Sequence, residues 1–251
     1  MPARPRRIVS LVPSRTEAVA VSLPGALRGA TDYCTHPAGL DEAGVHRVGG
    51  SKYPDVDRIL AIEPDLVLAN VEENREEDVR RLQERGVEVW VTYPQDLAAA
   101  FAGLARLLGA LGAGRPAWLT AAERAWAAPP PQRRTRAVIP VWRKPWVVLG
   151  GATFAGDLLR RLGIDNVFAA DAERYPRPSL EEIAGRAPEL AVLPDEPYAF
   201  TASDGPEFFA PVPSALVSGR HLTWYGPSLA EARAVLSDQL TRRLPATSRR
   251  L

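Results

Sequence analysis

The sequence predicts an α/β protein of two lobes with parallel-rich, Rossmann-like sheets, bridged by a single helix, with a ligand cleft between the lobes. Three observations predict it. Strand-like and helix-like segments alternate from residue 7 to residue 93, the pattern of a parallel sheet with helical crossovers. The stretch PDVDRILAIEPDLVLANVE, from Pro54, returns without a gap as PSLEEIAGRAPELAVLPDE, from Pro178, at an offset of 188 − 64 = 124 positions. A helical stretch closed by Pro129-Pro130-Pro131 separates the two copies. The expected division is an N-terminal α/β lobe at 1–95, a helical connection with the bridging helix at 96–132, and a C-terminal α/β lobe at 133–251.

Each element has a local reason. Ile8 to Val12 is a short apolar run that reads as the first buried strand. Ser14-Arg15-Thr16-Glu17 after it has the spacing of a capping box, so a helix is expected to open at Ser14. LRGATDY and VHRVGG read as strands, with the loop CTHPAGLDEAG between them. Asp55 caps a helix through VDRILAI, and Pro64 turns the chain into the strand DLVLAN. EENREEDVRRLQERG is a charged amphipathic helix with Gly86 past its end, and VEVWVTY is the next strand. Leu97, Phe101, Leu104, Leu108 and Leu111 form one helical stripe, broken at Gly112-Ala113-Gly114. Pro116 suits the first turn of the helix that continues through AWLTAAERAWAA. In the second lobe TRAVIPVWRKPWVVLGG reads as strand, turn, strand, and GATFAGDLLRRLGI as a helix ending at Gly163. Ser179-Leu180-Glu181-Glu182 and Ser228-Leu229-Ala230-Glu231 are two further capping boxes, and the tail ATSRRL reads as frayed.

Composition narrows the function classes. The 251 residues suit two lobes. With 31 basic against 30 acidic residues the net charge is +1, so no global field points to nucleic acid. No segment approaches the length of a membrane span, which argues against membrane insertion. A single cysteine, Cys34, allows no intrachain disulfide. The apolar patch after MPARPRR is short and interrupted by Pro13, Arg15 and Glu17, unlike a secretion signal, and no lipid-anchor cysteine is seen. The expected location is therefore cytoplasmic.

The repeat carries the functional argument. Both copies read as a capped helix, a proline turn, a buried strand and a strand-end loop closing on Glu72 or Glu196. Open α/β sheets bind ligands at the carboxyl ends of their strands, so the loops there are the candidates.

The order RIVSLVPSRTEAV, ATDYC, VGGSKYPDVDRILAIEPDLVLAN and VRRLQERGVEVWV resembles the helical-backbone (class III) substrate-binding proteins of ABC importers, the cobalamin-binding type above all. The likeness covers most of the chain. It is strongest across residues 7 to 93 and moderate at GGATFAGDLLRRLGIDNVF and PSLEEIAGRAPELAVL. The resemblance implies a non-catalytic receptor for cobalamin, haem, a ferric siderophore or a metal ion. It also implies a bridging helix at about Gly114 to Ala128 and an ABC permease as partner.

Each candidate residue has a functional and a plain reading. Ser14 and Arg15 follow the first strand and suit an anionic group, or else a simple cap. Tyr33, Cys34 and His36 share a loop; Cys34 and His36 are weak metal candidates, and ordinary packing is the alternative. Lys52 and Tyr53 follow Gly49-Gly50, where backbone approaches a ligand closely or merely turns. Glu72 and Asn74 follow one repeat strand, Glu196 and Tyr198 the other, while Glu73 reads as a solvated charge. Trp142, Arg143 and Trp146 suit stacking on a flat conjugated ligand, or hairpin packing. Phe154, Tyr175, Phe200, Trp224 and Tyr225 are further loop aromatics. Two other functions stay open: a cytoplasmic enzyme using Glu72 and Glu196 for acid–base work, and a regulatory or scaffold protein with a decayed cleft.

Overall fold

The computed structural model describes residues 4–243, so the tail ATSRRL lies outside the described residues. The chain forms two compact units, and neither is contiguous. The first holds the described residues up to Pro94 together with Ala100–Thr120 and Tyr225–Pro227; the second holds Gln95–Ala99, Ala121–Trp224 and the described residues from Ser228 onward.

The first unit follows the predicted alternation. In chain order it runs β1 (Ile8–Ser10), α1 (Pro13–Ser22), β2 (Leu27–Ala30), β3 (His46–Arg47), α2 (Val56–Ala61), β4 (Leu66–Asn70), α3 (Glu76–Glu84) and β5 (Val89–Thr92). It also takes most of α4 (Leu97–Leu111) and the start of α5 (Ala117–Trp126). Among the described residues the strands form one parallel sheet in the order β3-β2-β1-β4-β5. Alternate side chains face opposite ways along a strand. Ile8, Leu66 and Leu68 accordingly pack with Val19 of α1 and with Leu107 and Leu111 of α4. Val9 and Val67 pack with Val56 and Ile59 of α2 and Leu82 of α3. The sheet grows from β1 to one side through β2 and to the other through β4, which makes β1/β4 its topological switch point.

In the second unit the elements are β6 (Thr135–Val138), β7 (Pro140–Arg143), β8 (Trp146–Val148), α6 (Phe154–Arg161), β9 (Ile164–Asn166), α7 (Leu180–Gly185), β10 (Leu190–Pro194), β11 (Ser214–Val217), α8 (Gly219–Thr223) and α9 (Leu229–Thr241). β11-β10-β6-β9 is a parallel sheet, and β7-β8 is a separate antiparallel hairpin. The stretch read as strand, turn, strand therefore contains three strands, with β6 in the main sheet and the turn inside the hairpin.

The internal repeat holds to the residue. α2 and α7 have six residues each, and β4 and β10 have five. Asp55 caps α2 through Arg58 N, and Ser179 caps α7 through Glu182 N in a complete capping box. The turn residues Glu63 and Ala187 share a left-handed backbone, with φ of 50° and 49°. Asp65 N donates to Arg7 O and Glu189 N to Arg136 O, both at 2.8 Å. β2-β1-β4-β5 in the first sheet corresponds to β9-β6-β10-β11 in the second.

Two expected capping boxes do not form. α1 begins at Pro13, with Val12 as N-cap and no side-chain cap. Proline's fixed φ places it at the first helical position, which moves Ser14 and Glu17 one residue too deep to act as a box. Ser228 has helical dihedrals already, φ −55° and ψ −22°, so its hydroxyl does not cap α9. A further difference is the return of Tyr225–Pro227 to the first unit, within a stretch read as second lobe.

Candidate functional site

In the first unit the carboxyl-end loops gather four of the predicted side chains. Tyr33 follows β2, Lys52 and Tyr53 follow β3, and Glu72 follows β4. Tyr33 and Tyr53 are 67% and 73% exposed. Gly50 lies beside Tyr33, and a Cβ there would make ordinary contact with the ring at 3.6 Å. Lys52 Nζ donates to Glu72 O at 2.7 Å, tying two loops together. Sequence reasoning missed Arg75, whose guanidinium lies 4.8 Å from the Tyr53 ring centroid and pairs with Asp78 at 2.8 Å.

Asn74 is a brace and not a ligand-facing group. It is buried and accepts from Asn70 N at 2.7 Å, while its Nδ2 donates to Leu11 O at 3.2 Å and Ser51 O at 3.0 Å. Its amide therefore ties the exits of β1, β3 and β4. Ser14 and Arg15 are also corrected: both are buried. Arg15, 1% exposed, lies 4.7 Å from the centroid of the Tyr225 ring. Burial lowers its pKa, against opposing pulls from Tyr225 and Glu73. Glu73, read as a solvated charge, is part-buried, and desolvation followed by Glu72 pushes its carboxyl up to about 7. Its neighbour Tyr225 was only one of several loop aromatics in the sequence. No local pattern links it to Asn70, 155 positions away, whose Nδ2 donates to its hydroxyl at 2.6 Å.

The metal candidates come apart. Cys34 is buried, and its sulfur lies 3.0 Å from Thr16 Oγ1 and 3.2 Å from Thr31 Oγ1. His36 pairs its Nδ1 with Thr35 Oγ1 at 3.0 Å. Among the described residues no group of three or more His, Cys, Asp or Glu side chains is arranged to hold a metal ion.

In the second unit the hairpin and the loop after β10 carry an aromatic array. Trp142 is 44% exposed and meets Tyr198 edge-on at 5.7 Å. Arg143 pairs with Asp204 and lies 4.5 Å from the Phe208 ring centroid, and Tyr198 donates to Asp204 Oδ2 at 2.7 Å. Trp146 instead is half-buried and packs against the core: it stacks parallel to Phe200 at 6.2 Å and meets Phe208 and Phe209 edge-on. The eight-residue α6 buries Phe154 at its first position, and Trp224 is buried as well. Tyr175 is partly exposed. Glu196 is part-buried; desolvation and then Asp195 raise its pKa, against a hydrogen bond from Trp224. Ser218, His221 and Glu231 form a hydrogen-bonded row at 2.8 and 3.1 Å, but Ser218 is the N-cap of α8, which accounts for the contact.

Among the described residues no helix is long and apolar enough to cross a membrane. Two parallel α/β units, with exposed aromatic and charged side chains on their strand-end loops, define the class of two-unit α/β binding proteins. A family model described as periplasmic binding protein matches residues 8–213, and the chain belongs to that family. It is 27% identical to the vitamin B12-binding protein of Vibrio parahaemolyticus over 191 residues, covering 73% of this chain and 69% of that one. Its fold is similar to the crystal structure of the periplasmic vitamin B12-binding protein of Vibrio cholerae, with a TM-score of 0.74 at 18% identity over 95% of this chain and 97% of that one. It is also similar to a periplasmic haem-binding protein in complex with two hemes, with a TM-score of 0.75 at 24% identity, over 95% and 98% of the two chains.

Proposed function

We propose that the chain binds, without chemical turnover, a bulky conjugated small molecule or metal chelate of the corrinoid, haem or ferric-siderophore type. The observation that carries this reading is the exposure of Tyr33 and Tyr53 on strand-end loops and of Trp142 in β7 of the hairpin. Large aromatics held out in water offer broad apolar contact to a flat ligand. Lys52, Glu72 and Arg75 would meet its polar substituents in the first unit, and Arg143, Tyr175, Glu196 and Tyr198 in the second. Kinship with vitamin B12-binding proteins supports the ligand class. An ABC-type permease is the proposed partner, by family membership.

Isothermal titration calorimetry of the purified chain against cyanocobalamin, haemin, ferric siderophores and divalent metals tests the reading. Micromolar or tighter binding of one chelate supports it. Silence across the panel, or turnover of a bound compound, overturns it. A cytoplasmic location is a separate proposal, checked by immunoblotting fractionated native cells; recovery outside the cytosol overturns it.

A further inference from the structure

The amino ends of β1, β2 and β3, at the far end of the sheet from the loops that carry Tyr33 and Tyr53, border a cavity of about 550 Å³. Five of its seven lining residues are basic, in a chain whose 31 basic residues are matched by 30 acidic ones. Arg7 precedes β1, Arg28 lies in β2, His46 and Arg47 form β3, and Arg58 lies in α2. Among the described residues no carboxylate lines it. Ala61 and Ile62, at the end of α2, give it one apolar wall. Gly29 lets that wall close on the sheet, since a Cβ there would sit 2.8 Å from Ile62 Cδ1.

The cations differ in how firmly they are held. Arg47 is fixed: its Nε donates to Asp41 Oδ1 at 2.6 Å, and its Nη1 to Thr31 O and Cys34 O, both at 2.9 Å. Arg58 pairs with Asp55 at 3.0 Å, and Arg7 meets Asp65 at 3.4 Å and Glu63 at 3.7 Å. These two side chains are 68% and 49% exposed, and ion pairs so open to water hold weakly, which leaves them free to turn to a stronger anion. Arg28 is exposed and, among the described residues, makes no ion pair. An adjoining cavity of about 620 Å³ shares Arg7 and adds Arg4 and Arg6. The one carboxylate lining it, Asp65, already accepts from Arg6 N at 2.8 Å and Arg7 N at 2.9 Å. Six arginines thus stand against the four carboxylates Asp41, Asp55, Glu63 and Asp65, and two positive charges stay uncancelled.

We propose that this cavity binds a soluble small molecule carrying two or more phosphate groups. Guanidinium forks match phosphate oxygens two at a time, and several of them around one concavity suit linked phosphates better than a single carboxylate. Arg28 and Arg58 reach the phosphates, and Arg47, already held by three acceptors, forms the rigid side. The volume lies in the range of small-molecule sites and leaves room for an organic group against Ala61 and Ile62. The carbonyl end of α2 opposes an anion, but the helix has only six residues and carries Arg58 in its last turn. Open α/β sheets bind their usual ligands at the carboxyl ends of the strands. The phosphate site lies at the other end of the sheet and does not rest on the chelate-binding reading.

Isothermal titration calorimetry of the full chain at low salt, with sodium pyrophosphate and ATP against sodium sulfate and AMP, tests the site. Pyrophosphate and ATP should bind at least about tenfold more tightly than sulfate or AMP, and more weakly as sodium chloride is added. Arg28→Ala and Arg58→Ala should each weaken pyrophosphate binding about tenfold. Arg80→Ala, which removes an exposed arginine of α3 outside the cavity, should leave it unchanged. Circular dichroism checks that each variant folds, and if Arg58→Ala does not, Arg28→Ala decides alone. No binding of pyrophosphate or ATP overturns the proposal. Equal binding of sulfate means an adventitious ion only, and an equal loss in Arg80→Ala means diffuse surface charge; either overturns it. Sedimentation with phosphatidylserine vesicles without any response to pyrophosphate also overturns it, by assigning the arginines to a charged surface.

Discussion

Asn74→Ala is the sharpest test of the first unit's construction. The substitution removes three hydrogen bonds at once: Asn70 N to Oδ1 at 2.7 Å, and Nδ2 to Leu11 O and Ser51 O at 3.2 and 3.0 Å. Each such bond contributes about 1 kcal/mol net, and the Asn70 N–H left without its acceptor adds about 1 kcal/mol more. The expected loss is therefore about 4 kcal/mol, a large share of the ~5–15 kcal/mol by which domains are stable. With a urea m-value of about 2 kcal/mol/M, the midpoint of the first unit's transition moves down by about 2 M. Equilibrium urea unfolding followed by far-ultraviolet circular dichroism measures it. Asn74→Asp is the companion: it keeps an acceptor for Asn70 N but sets a carboxylate against two carbonyl oxygens. It should be destabilised at neutral pH and regain stability, relative to wild type, as acid restores one donor. A loss below about 1 kcal/mol in Asn74→Ala would refute the reasoning, because it would mean the three loop exits are held by something else.

The other predictions concern separate sites. Gly150→Ala should unfold the second unit's hairpin region or cost about 1–3 kcal/mol in thermal unfolding, since its Cβ would overlap Glu173 O. Retained stability would show that the Glu173 loop shifts freely. The Cys34 thiol, buried and held above its ordinary pKa chiefly by desolvation, should react with a thiol-specific disulfide reagent at least ~100-fold more slowly in the native protein than in urea; equal rates would contradict its burial. Tyr53→Ala should change stability by no more than about 0.5 kcal/mol, because the ring is largely exposed, yet weaken the chelate found in the titration panel by about tenfold. Unchanged affinity would remove Tyr53 from the ligand surface.

Short-range chemistry made much of the fold readable. Asp55 and Ser179 each precede a six-residue helix with their side chains free to cap it, and the proline turns after them recur at one offset, so the repeat is visible from spacing alone. Ser14 has the same local signature and fails, because Pro13 claims the first helical position. Exposed candidates such as Tyr33 and Tyr53 follow from their place on strand-end loops. Arg15 could not be placed that way: a charged residue after a strand reads as exposed, and its burial depends on an aromatic ring more than two hundred positions further on. Trp146 and Trp142 lie four residues apart in one hairpin, but only tertiary packing sets the first against the core and leaves the second at the surface.

The broken course of the first unit bears on how the protein is made. Translation delivers its five strands by residue 94, its helical cover by residue 120, and Tyr225–Pro227 only after the strands of the second unit. The nascent sheet must therefore wait, with Arg15 lacking its aromatic cover, while almost the whole second unit is synthesised. A stop codon that spared every strand and most of the chain, yet fell before Tyr225, would leave both units' sheets encoded and the first unit unfinished.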